Sequence, residues 1–140
     1  MGKINFGRVI LGGIVAGIVA DILGYLVDGV LLVHKWGVGM RALGRLSFPP
    51  NMWIGFNLLG IVTGIALIWI YAAIRPRLGP GVKTAIYAGV IVWIVGALVP
   101  NVSFMLVAGL FAKHLALYTT VGGLVELVAG AIAGAALYKE

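Results

Sequence analysis

No cysteine occurs in the chain, which excludes a disulfide framework, a thiolate nucleophile and a cysteine-ligated metal. Charge is nearly as scarce. Only 10% of the 140 residues are Asp, Glu, Lys or Arg, too few to cover a water-facing exterior, for which a soluble domain uses about 25%. Histidine occurs twice, at His34 and His114, without the paired spacing that marks a metal site. Phosphate-loop, dinucleotide and hydrolase motifs are missing too. Gly12-Gly13 and Gly122-Gly123 lie inside apolar runs, where glycine serves helix packing. With no recognisable catalytic set, neither an enzyme nor a resident cofactor is expected.

Hydrophobicity is what the chain has: 62% apolar residues and a mean hydropathy of +1.14. Its length fits a single unit without a second domain. The formal charge of +6 does not point to nucleic acid, because the ten basic residues are scattered through short polar segments between apolar runs. That distribution suits interfacial anchors at the ends of membrane spans. Lys3 and Arg8 precede the first apolar run, yet that run is too long for a signal peptide and leads into acids. The first span is therefore expected to remain in the mature protein.

The hydropathy pattern predicts an all-α membrane protein, a four-helix bundle with spans at residues 9–33, 52–74, 82–107 and 115–138. Pro100 predicts a break or kink in the third span. Residues 35–48 carry Lys35, Arg41 and Arg45 interleaved with Trp36, Val38, Met40, Leu43 and Leu46. They read either as a segment lying in the interface or as an irregular loop. Arg75-Pro76-Arg77-Leu78-Gly79-Pro80-Gly81 reads as a tight charged turn that stops the second span.

Small residues mark the faces that helices share. Gly13 and Gly17 share a stripe with Asp21, Gly60 and Gly64 form one step, and Gly89 belongs to a four-residue repeat in the third span. Gly122, Glu126, Gly130 and Gly134 repeat the small-and-acid pattern in the fourth. That echo, with two spans per half, suggests a weak internal repeat of two-helix units, which would be parallel. Four helices alone bury little surface, so the stripes point to a homo-oligomer or a partner membrane subunit, with lipid around the rest. Counting basic residues, six lie on the side with both termini and four on the other. This excess favours termini in the cytoplasm.

Asp21 and Glu126 fall near the middle of the first and last spans, where an acid is expensive and functional by default. Two close carboxyls in hydrocarbon do not both ionise, so at least one holds a proton. The bland alternative makes each a protonated packing group bonded to a backbone carbonyl, Tyr25 or a threonine. Asp28 lies about 10 Å further along the first helix at 1.5 Å per residue. Depth then collects Asp28, Asn57, Asn101, His34 and His114 into a polar vestibule at one end of the bundle. Trp93 falls mid-span and reads as core filling.

Phe6-Gly7-Arg8-Val9 leading into Gly12-Gly13-x-x-Ala16-Gly17, the run Tyr71-Ala72-Ala73-Ile74 with the charged turn after it, and Gly123-Leu124-Val125-Glu126 are the points of a likeness. On these the chain resembles a family of small four-span bacterial membrane proteins. The resemblance implies a four-helix unit in a bacterial inner membrane and carries no activity with it.

Three functions remain. A structural or accessory membrane subunit needs only the packing stripes, and predicts helices filling them with no aqueous path. A small oligomeric proton-coupled transporter or permeation unit uses Asp21 and Glu126, and predicts a cavity reaching Asp21. A haem- or metal-binding redox protein uses His34 and His114.

Overall fold

The computed structural model describes residues 4–107 and 112–139. Lys3, counted above among the anchors, lies outside them, as do residues 108–111 between the third and fourth spans. The described residues are helical, with no strand among them. Four helices are long and apolar enough to cross a membrane: α1 (Phe6–Leu31), α3 (Met52–Leu78), α4 (Val82–Leu106) and α5 (Lys113–Leu137). A short fifth helix, α2 (Val33–Ala42), follows α1. The plain four-helix bundle thus becomes four membrane-length helices and one short one. In hydrocarbon a helix pairs all its backbone groups within itself, which is why such runs fold this way.

Local chemistry sets the ends. The Asn5 side chain accepts the Arg8 N–H at 3.2 Å and caps α1. Leu32, with φ −104° and ψ 1°, separates α1 from α2. Pro76 does not stop α3, contrary to the turn expected there. A proline in the last helical turn forfeits one backbone bond, and the helix ends instead at Gly79, whose φ of 82° is a glycine conformation.

Two membrane-length helices contain a π-helical stretch, Tyr25–Leu31 in α1 and Ile94–Leu98 in α4. Pro100 explains the second. It has no N–H, and its ring crowds the carbonyl four residues back, so the preceding turn widens and Val99 N–H donates to the Ile94 carbonyl. The helix then resumes through Leu106.

The core lies in one half of the bundle. Val9, Ala16, Leu67, Ile68, Tyr71, Ala85, Ala88 and Ala131 are at most 2% exposed. They come from the start of α1, the end of α3, the start of α4 and the end of α5. Tyr138 closes that end: its ring meets Tyr71 edge-on at 5.9 Å, and the Arg75 guanidinium sits 5.4 Å from its centroid. Its hydroxyl accepts the Asn5 N–H at 3.3 Å, so the start of α1 and the end of α5 lie side by side. Tyr138→Phe keeps the rings and removes that bond. It should lower stability by about 1 kcal/mol, read as a small drop in the detergent melting temperature.

Glycine lets α1 lie between α3 and α5. A Cβ at Gly13 would strike the Ile65 backbone, and one at Gly17 would stand 2.6 Å from Ile61 Cα. On the other face, a Cβ at Gly130 would stand 2.7 Å from the Ala16 carbonyl oxygen, and one at Gly134 would strike that of Gly12. Gly89 closes on Val128, Gly122 on Val27, Gly64 on Gly13 and Gly17, and Gly60 on the Asp21 side chain. Every packing glycine singled out in the sequence therefore meets another part of this chain. With the stripes filled within the chain, they no longer by themselves point to a second copy or a partner subunit. Outward residues such as Ile10 and Leu11 stay about half exposed, the ordinary state of a lipid-facing side chain.

Candidate functional site

Beyond the packed half, the helices enclose an open cavity of about 1030 Å³. All five helices contribute to its wall. Asp21, Tyr25 and Asp28 come from α1, Glu126 from α5, Asn57 from α3 and Asn101 from α4. Trp36 and Met40 of α2 close over it. No Lys, Arg or His among the described residues lines the cavity, so its titratable groups are Asp21, Tyr25, Asp28 and Glu126. Tyr25, Trp53, Phe56 and Asn57 are exposed at its rim, which leaves it unsealed.

Each acid is placed by a missing side chain or by a specific donor. The Asp21 carboxyl lies on Gly60 of α3, where a Cβ would collide with it. Glu126 lies on Gly24 of α1, where an added Cβ would be 3.3 Å from its Oε2. Glycine thus turns both carboxyls into the space between helices. Asp28 sits in the π stretch, where the extra residue per turn rotates the face that follows. Its Oδ1 accepts the Trp36 Nε1–H at 2.9 Å. Glu126 lines the same cavity as Asp28 and Asp21. Among the described residues none donates a hydrogen bond to the Asp21 or Glu126 carboxyl, which excludes the tyrosine or threonine bond considered for them.

The polar wall continues upward. Asn101 Nδ2 donates to Thr120 Oγ1 at 2.9 Å, while the Asn57 amide donates to the Trp53 carbonyl at 2.6 Å. A smaller cavity of about 120 Å³ beside the first shares Trp36, Asn101 and Thr119 with it. Trp93 does not line the large cavity. Its Nε1–H donates to the Thr120 carbonyl at 2.7 Å and binds α4 to α5, a core role.

The vestibule drawn from the sequence is therefore divided. Asp28, Asn57 and Asn101 share one cavity with Asp21 and Glu126, but His34 and His114 are exposed and line neither cavity. The reason is α2. Its helix carries Trp36 inward, and His34, two residues earlier, falls on another face. Among the described residues, no group of three or more His, Cys, Asp or Glu side chains is placed to hold a metal ion.

Sequence reasoning missed Trp36, Gly24 and the aromatic rim of Tyr25 and Trp53, whose rings meet edge-on at 5.9 Å. One signal was available: Trp36 follows Asp28 by eight residues, about two helical turns, and so shares its face wherever helix persists. No protein-family model matches the chain, and no curated protein or solved structure matches it.

Proposed function

We propose that the protein is a small multi-pass transport or permeation unit in which Asp21, Asp28 and Glu126 receive a cation and exchange protons against it. The observation that carries this reading is the cavity itself, walled by three acids with no described basic residue in its lining. A membrane-length helix that carries an acid into a cavity has met the cost of placing it there, and such acids characteristically mark ion or proton paths. Two binding states follow from charge alone. With the carboxyls ionised a cation is held, and with them protonated it is released.

A structural or accessory role fits the same helical build. Helices do fill the glycine faces, as that role predicts, but it also predicts no aqueous path and gives the cavity nothing to do. The redox reading through His34 and His114 has no support from their placement. One chain supplies all three acids, so the pathway needs no second copy to assemble its charge. We place both termini in the cytoplasm on the basic-residue excess of six against four, and the bacterial inner membrane rests on the resemblance alone.

The test uses vesicles holding the purified protein and a lumenal pH dye. Adding sodium, potassium or an organic ammonium ion outside should shift the lumenal pH only where the protein is present. If no such cation shifts it beyond protein-free vesicles, the transport reading is wrong.

A further inference from the structure

The transport reading leaves the cation's chemistry open, and the following inference rests on that reading. We propose that the cavity binds a monovalent organic cation with an apolar, aromatic-sized body, such as a quaternary ammonium or phosphonium ion. Three features of the wall converge on this class.

Size is the first. A bare divalent cation such as calcium or magnesium is held by oxygen ligands at about 2.0–2.6 Å in a closely fitted cage. A cavity of about 1030 Å³ is instead on the scale of a drug-sized ligand. Among the described residues no set of acids and histidines is drawn together for a metal.

The second feature is the surface that a ligand body would touch. Tyr25, Trp36, Phe48, Trp53 and Phe56 all line the cavity. Aromatic faces attract a cation through the ring quadrupole, and more strongly where water is excluded. Their flat surfaces also bury an apolar body. Tyr25 and Trp53 meet edge-on at 65°, so the pair presents surfaces in two directions and not one stacked slab.

Sign is the third. Asp21, Asp28 and Glu126 are the acids of the wall, with no described base beside them, and Asp28 is fixed by Trp36 through its Oδ1. A neutral ligand gains nothing from them, and an anion is repelled. A cation with an apolar body uses both halves of the wall at once, and it crosses into the cavity with less desolvation than a metal ion.

The probe is tetraphenylphosphonium, with tetraphenylborate as a partner of the same shape and opposite charge. Binding is read on the purified protein in neutral detergent by calorimetry and by tryptophan fluorescence. Saturable phosphonium binding at least about tenfold tighter than borate binding is expected, the factor that corresponds to about 1.4 kcal/mol. Glu126→Gln should weaken the phosphonium without weakening the borate, and Trp53→Ala should weaken the phosphonium more than the borate. Equal binding of both ions would mean adsorption to an aromatic surface and would overturn the proposal. So would no binding, which needs no variant to interpret. The two readings fail separately. A sodium-driven pH shift without phosphonium binding removes the ligand class and keeps transport. Phosphonium binding with no pH shift from any cation keeps the ligand class and removes transport.

Discussion

Gly64→Ala destabilises the detergent-solubilised protein by about 3 kcal/mol, while Gly55→Ala on the same helix is neutral or stabilising by up to about 1 kcal/mol. Both substitutions add one methyl and improve helix propensity equally. They differ in what the methyl meets. At Gly55 nothing lies within 4 Å. At Gly64 the new Cβ strikes the Gly13 carbonyl oxygen and the Gly17 amide nitrogen, with Gly17 Cα at 2.8 Å. All three are backbone atoms, so no side-chain rotation relieves the clash. The helices α1 and α3 must separate, and the seat of Asp21 on Gly60 moves with them. Thermal unfolding of the two variants beside wild type reads the difference. Equal melting temperatures would mean that α1 and α3 are not in this contact.

Asp21→Asn and Glu126→Gln should each abolish the cation-driven pH shift in vesicles, while Asp28→Asn only slows it. The distinction comes from partners. Asp28 has one carboxyl oxygen occupied by the Trp36 indole N–H, so it offers less to a cation or proton than the other two, and an asparagine carbonyl oxygen keeps that bond. Asp21 and Glu126 have no described donor, so an amide of the same shape disturbs little around them. It removes the one thing they offer, a proton that leaves and returns. Melting temperatures near wild type would show that folding is intact. A pH shift as fast in both variants as in wild type would deprive these carboxyls of the proposed role.

Much of the architecture was legible because lipid imposes a simple rule. Runs long enough to cross, with no backbone group left unpaired, are helices, and all four runs form them. Glycines at four-residue spacing marked real contacts too, although the spacing does not say which helix fills the groove. A second copy and a neighbouring helix of the same chain leave the same pattern in α1, and the structure chooses the latter. The depth of Asp21 and Glu126 followed from counting residues. That both open on one cavity did not follow, because it depends on Gly60 and Gly24, two small residues on helices whose order around the bundle no pattern specifies. The π turns were hidden as well. Pro100 forecast a disturbance in α4, but the Tyr25–Leu31 stretch contains no proline, and it is the one that carries Asp28. His34 and His114 were grouped by depth alone, and depth says nothing about the face of a helix on which a side chain falls.

The transport reading requires protons from water to reach Asp21 and Glu126 through the cavity. Isotope-edited infrared difference spectroscopy in bilayers tests it most directly, with the bulk pH stepped from acid to alkaline and Asp21→Asn and Glu126→Gln used to assign the bands. Proton access predicts a carboxyl C=O band that changes with bulk pH and is lost in at least one of the two variants. Carboxyl bands that stay constant across the whole range would contradict it, and would leave both groups as neutral acids that pack helices.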